Sequence, residues 1–189
     1  MLKIVLLLCS AAVTFAGPAA NDSKGYKSYK NEFFSAIVPN WEVSENYDAD
    51  MGIFGVSLTS PDSSLEEPTV LYVDYYEKGN DIYATVDEFI AGVSSNPFEL
   101  KGVGATKPEK VRAGQKGVYA ARSFETTSFK FVPPDDPDAK KITVREKYIL
   151  IPDSKGSGFY VLRLYSGDSG YAKSLLLLNA LSDSIICSK

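Results

Sequence analysis

From Tyr29 onward the apolar residues of this chain recur with a period near two, in runs closed off by glycine, proline and small polar residues. Side chains on a strand alternate between two faces, whereas those on a helix return about every 3.6 residues, so the pattern commits most of the chain to β-structure. The spacing predicts strands over residues 32–38, 52–59, 69–77, 110–114, 117–131, 142–151 and 158–165. Turn clusters at Pro61-Asp62-Ser63-Ser64, at Lys78-Gly79-Asn80-Asp81 and over 152–158 separate them. The last cluster joins two strong runs and reads as a hairpin, which makes that pair antiparallel.

Two segments switch to helical spacing. Val86, Phe89, Ile90 and Val93 share one face, and Thr85 with Glu88 has the form of a capping box, which satisfies the first unpaired amides of a helix. A second helix is expected over 169–186, with Tyr171, Leu175, Leu178, Leu181 or Ser182, and Ile185 on one face and Asp168 or Ser169 as cap. Its four consecutive leucines, Leu175 to Leu178, require burial on more than one side. Many antiparallel strands with one internal and one C-terminal helix describe an α+β fold in which helices cover a sheet. With 189 residues, 44% of them hydrophobic, a single domain over 29–189 is expected.

Residues 1–16 carry Lys3, an apolar run over 4–13 and the close Thr14-Phe15-Ala16, the form of a secretory signal peptide cleaved after Ala16. A bilayer takes about 20 apolar residues, which sets this run apart from a transmembrane anchor. A membrane-tethered lipoprotein acylated at Cys9 is the alternative, with Leu8 standing where such a site wants a small residue. Once Cys9 leaves, Cys187 is the sole cysteine, so no intrachain disulfide forms, and beside Ile185 and Ile186 it reads as a small apolar residue in a helix end. Residues 17–28 are small and polar and read as a flexible linker that holds the sequon Asn21-Asp22-Ser23.

Two stretches carry a resemblance. Phe33-Phe34-Ser35-Ala36-Ile37-Val38-Pro39-Asn40-Trp41 opens the domain, and Gly158-Phe159-Tyr160-Val161-Leu162-Arg163-Leu164-Tyr165, followed by Tyr171 and a long helix, closes it. In these residues the chain resembles the PsbP-like family of extracytoplasmic domains. The resemblance implies an α/β/α sandwich, an antiparallel sheet flanked by helices, acting as a non-enzymatic accessory or binding module. The histidines that photosystem members can use for metal have no counterpart here. Independently of the family, Pro39 ends a strand and Trp41 is placed to fold back over the sheet edge as a lid on the core.

The chain contains no histidine, which excludes Ser-His-Asp and Cys-His nucleophilic sites and histidine-ligated metals together. No phosphate-binding loop, nucleophile elbow or Cys-x-x-Cys pair is present, and Gly102-Val103-Gly104-Ala105 reads as a loop. Asn46, Asp48 and Asp50 have the spacing of a calcium loop, but Met51 stands where the turn needs glycine and Ser57 where a bidentate carboxylate is required. Pro133 to Asp138 is a second carboxylate cluster, read as a solvated hairpin tip. No metal and no cofactor is expected.

Charge is unevenly distributed. Residues 31–100 hold 14 acidic side chains and one basic, whereas residues 101–147 hold 11 basic and 6 acidic. Neighbouring strands would let these charges pair across the sheet, the expected arrangement, whereas separation would leave a dipole able to steer a charged partner. The basic part lacks interleaved aromatics and any nucleic-acid motif, so no nucleic-acid partner is expected.

The tyrosine count is 12. Along 69–77, Leu71, Val73 and Tyr75 fall on one face and Tyr72, Asp74 and Tyr76 on the other. Arg145 and Arg163 sit on later strands of mixed character, and Tyr with Arg is the pairing favoured at binding hot spots. Tyr72, Asp74, Tyr76, Arg145 and Arg163 are therefore the candidate binding residues of a secreted or periplasmic, non-catalytic module whose partner is another envelope or membrane-associated protein. The competing reading is a carboxylate-dependent hydrolase with Asp74 and Glu146 as acid and base, which needs the two carboxyls about 5 to 10 Å apart.

Overall fold

The computed structural model describes residues 25–94, 110–133 and 138–189. The expected leader, the sequon, the loop at 102–105 and most of the tip at 133–138 lie outside the described residues. In chain order the elements are β1 (Tyr26–Lys30), β2 (Phe34–Pro39), β3 (Glu42–Asp48), β4 (Ile53–Thr59), β5 (Thr69–Glu77), α1 (Val86–Ser94), β6 (Arg112–Lys116), β7 (Tyr119–Val132), β8 (Lys140–Pro152), β9 (Gly158–Gly167), α2 (Asp168–Ser184) and β10 (Ile186–Cys187).

Strand β9 organises the fold because its side chains are apolar on both faces. Tyr160, Leu162 and Leu164 point to one side and Phe159 and Val161 to the other, all almost completely buried. Burial on both faces suits only an interior strand. Accordingly β9 is the centre of an antiparallel seven-stranded sheet ordered β3-β4-β5-β9-β8-β7-β6. A small sheet, β1-β2-β10, and α2 cover one face, and α1 lies on the other. The architecture is α+β, with helices on the two faces of an antiparallel sheet.

The larger core packs Phe33, Phe34, Ala36 and Val38 of the small-sheet segment and Leu178, Leu181 and Ile185 against Phe54, Val56, Leu58, Leu71 and Val73. Tyr160 donates from its hydroxyl to the Phe33 carbonyl at 2.6 Å, which ties the two sheets together inside the core. Trp41 packs against this core from its edge. On the far face the capping box forms. The Glu88 amide donates to Thr85 Oγ1 at 3.1 Å, and Glu88 Oε2 accepts from the Ala84 amide at 2.8 Å. That seats Phe89 on Tyr76, Phe159 and Tyr148, with Val86, Ile90 and Val93 beside it.

The structure departs from the sequence expectations in several places. Residues 26–28, expected in the linker, belong to β1, which pairs with β2 along its whole length. Strand β3 is an addition, because its exposed edge carries Glu42, Ser44, Glu45 and Asn46 and alternates too weakly to stand out. Helix α2 begins after Gly167 without a side-chain cap and stops at Ser184, so Ile186 and Cys187, expected in the helix end, form β10 against β2. Of its four leucines, Leu178 is buried and Leu175 and Leu177 pack against the core, but Leu176 is 69% exposed. One helix face suffices for a one-sided contact.

The charge expectation is reversed. Strands β3 to β5 form one meander and β6 to β9 another, and the two join where β9 pairs with β5. A meander keeps consecutive strands adjacent, so the acidic segment's β3 to β5 and the basic segment's β6 to β8 occupy opposite halves of one sheet. Surface ion pairs bridge them at Lys140–Glu66, 2.7 Å apart, and at Arg122–Asp87, and exposed pairs of this kind stabilise little.

Replacement of Leu162, fully buried on β9, by alanine is expected to destabilise the domain by about 2 to 5 kcal/mol in denaturant unfolding. A loss under about 1 kcal/mol would mean that β9 is not the packed centre of the sheet.

Candidate functional site

Helix α1 covers only part of its face of the sheet. Beyond it, β3, β4 and β5 present Ser44, Asn46, Gly55, Ser57, Tyr72 and Asp74 to an open cavity of about 400 Å³, with Met51, Ile53 and Ile82 at one end. The register explains the grouping. Asn46 lies beside Gly55 and Gly55 beside Asp74, while Ser44 lies beside Ser57, Ser57 beside Tyr72 and Tyr72 beside Arg163. Two rows of side chains thus cross the strands on one face.

Arg163 is the charged residue of β9. Its guanidinium stacks on the Tyr72 ring at 4.1 Å, and its Nη1 lies 3.7 Å from Glu146 Oε1. Glu146 Oε2 in turn accepts from Thr126 Oγ1 at 3.4 Å. The series Thr126, Glu146, Arg163, Tyr72 therefore runs from β7 through β8 and β9 to β5. Burial alone would lower the Arg163 pKa, but the Tyr148, Glu146 and Asp74 groups around it overcome that effect and raise it. A stacked, partly desolvated guanidinium of this kind is held by about 1 to 2 kcal/mol of cation–π attraction.

Asp74 is differently placed. Burial pushes its carboxyl up from 3.8 to about 6, against the opposing charge of Arg163. It carries no hydrogen bond or ion pair among the described residues. The glycine opposite leaves it room, because a Cβ at position 55 would stand 2.9 Å from Asp74 Oδ1 and push the carboxylate aside. Asp74 and Arg163 also line a second cavity of about 210 Å³ under α1, with Tyr76, Tyr83, Phe89 and Tyr148. Together they form the wall between the covered and uncovered halves of this face.

The five candidate residues separate accordingly. Tyr72, Asp74 and Arg163 line the open cavity. Tyr76 stacks on Phe159 at 5.0 Å beneath α1, and burial followed by the Asp74 charge raises its hydroxyl pKa. Its ring belongs to the aromatic core and its hydroxyl end to the wall. Arg145 does not join them. It lies on the opposite face, stacked at 3.9 Å on the Tyr171 ring of α2, with Glu125 at 3.2 Å and Asp168 at 3.9 Å. The register sets this, because Arg145 pairs with Ser166 and Arg163 with Tyr148, which puts the two arginines on opposite sides of adjacent strands.

Of the cavity residues on β3 and β4, Ser44 and Gly55 carried no sequence signal, and Asn46 and Ser57 entered only through the calcium-like spacing. An alternation of Ser44, Asn46 and Asp48 against Val43 and Tyr47 is present along β3, but with two apolar positions it is a faint signal. Of the calcium-like spacing, Asn46 and Asp48 lie on β3, and Asp48 Oδ1 accepts from the Met51 amide at 3.0 Å. Among the described residues no group of three acidic or cysteine side chains is placed to hold a metal ion. Cys187 is partly buried, and burial raises its thiol to about 11. Among the described residues no helix is long and apolar enough to cross a membrane.

No protein-family model and no curated protein matches the chain. Among solved structures it is similar to LpqN, described as involved in cell envelope biogenesis of Mycobacterium tuberculosis, with 18% identity over 82% of this chain and 83% of that one, at a TM-score of 0.40.

The raised Asp74 pKa makes stability depend on pH. The folded state holds the proton to about pH 6 and the unfolded chain releases it near 3.8, so this group's contribution is full below pH 3.8 and is lost as pH rises through 6. Asp74→Asn is expected to be more stable than the parent at neutral pH, by up to about 3 kcal/mol, with the difference closing as the pH falls to about 4. Denaturant melts across that range measure it, and a constant difference would contradict the assignment.

Proposed function

We propose that the protein is an exported, non-catalytic binding or assembly-accessory module, with the open cavity beside α1 as its ligand-facing surface. The leader over residues 1–16 supports export, and the PsbP-like resemblance at both ends of the domain supports an accessory role outside the cytoplasm, with an envelope or membrane-associated protein as partner.

The observation that carries the non-catalytic reading is the placement of the carboxylates. Asp74 pairs with Val161 and Glu146 with Tyr165, so their backbones lie two strands and four residues apart. That is about 10 Å across the sheet and about 13 Å along it. Arg163 stands between them and is bound to Glu146. A glycosidase pair flanks an open space that receives the scissile bond; these two carboxylates are separated by a guanidinium.

The test uses the processed domain as bait against an envelope fraction, beside Tyr72→Ala, and assays both against a panel of glycosides. The expected result is an N-terminus at Gly17, a partner retained by the parent and lost by the variant, and hydrolysis at background. Turnover abolished by replacing Asp74 or Glu146 would overturn the reading.

A further inference from the structure

We propose that the open cavity on β3, β4 and β5 binds an alkylammonium group, with the nitrogen against the Asp74 carboxylate and the alkyl chain toward Met51, Ile53 and Ile82. This rests on the reading of that face as a binding surface and adds the chemistry of its ligand.

Asp74 is a partly buried acceptor to which no described residue donates. A partly desolvated carboxylate without a donor loses some of its hydration uncompensated, and a ligand that brings N–H groups offsets that loss. The burial-raised pKa of Asp74 reports the same deficit. Arg163 does not fill it: its charge opposes the rise of the carboxyl pKa, but it makes no hydrogen bond or ion pair to Asp74, lying instead on the Tyr72 ring and beside Glu146 with its buried Nε unpartnered. Asp48 lines the same cavity. The lining carries two carboxylates, Asp48 and Asp74, against the one guanidinium of Arg163, so the local field favours a cation over an anion.

The shape selects the kind of cation. A calcium ion takes six to eight oxygen ligands and magnesium a near-octahedral set, and no group of three acidic or cysteine side chains gathers among the described residues. An ammonium needs three acceptors. Asp74 is one, and the Ser44 and Ser57 hydroxyls and the Asn46 amide oxygen line the same cavity. Met51 and Ile82, 42% and 47% exposed, stand at its margin with Ile53, and apolar side chains there suit a methylene chain better than water.

Calorimetric titration at neutral pH with putrescine, with an N-acetylated lysine amide, and with butanediol and butyrate as neutral and anionic controls tests this. Binding of putrescine or the lysine amide, with neither control binding, is the expected result, and the tighter of the two amines tells a free polyamine from a lysine side chain. Asp74→Asn is expected to weaken it about tenfold or more. Gly55→Ala leaves every charge in place but intrudes on the carboxylate, and is expected to weaken binding as well. Equal binding of butanediol, an unchanged affinity in Asp74→Asn, or no binding of either amine would overturn the proposal. If the amines fail while the Tyr72-dependent envelope partner is still captured, the cation inference falls and the binding-module reading stands.

Discussion

One arginine on an otherwise uncharged central strand sets the character of this molecule. Strand β9 is buried on both sides, and Arg163 lies there with the Tyr72 ring on its face and Glu146 beside Nη1, its buried Nε being without a partner. Helix α1 covers Phe159 and Val161 farther along the same face. The boundary between covered core and open cavity therefore falls at Arg163 and its neighbour Asp74.

The two meanders give that boundary its electrostatics. Because β9 joins an acidic meander to a basic one, a side chain near the β5–β9 seam stands between opposite fields. Asp74 lies on the acidic side and Arg163 at the seam. The guanidinium is taken up by Glu146 and Tyr72, which leaves the Asp74 carboxyl partly buried, undercompensated and shifted toward neutrality.

Much of the fold was legible in the sequence because burial writes itself as periodicity. The alternation of Leu71, Val73 and Tyr75 against Tyr72, Asp74 and Tyr76 is the division seen between the two faces of β5, and the Thr85–Glu88 box marks the start of α1. Strands β1 and β3 were not legible. Both are edge strands with polar, exposed residues, and an edge strand that buries little leaves little pattern. The site was legible only in part for a related reason. Residue type pointed to Tyr72, Asp74 and Arg163, but which strands lie side by side is a matter of topology. Arg145 therefore looked equivalent to Arg163 although it braces α2 from the opposite face, and the charge segments looked able to interleave.

The chemistry of the open cavity depends on Asp74 being a carboxyl that the protein itself leaves without a donor. Its carboxyl-carbon chemical shift, followed by NMR across an acid-to-neutral titration of the ligand-free domain, reads this directly. A midpoint near 6 is predicted; a midpoint near 4, the ordinary value of a solvated aspartate, would contradict it.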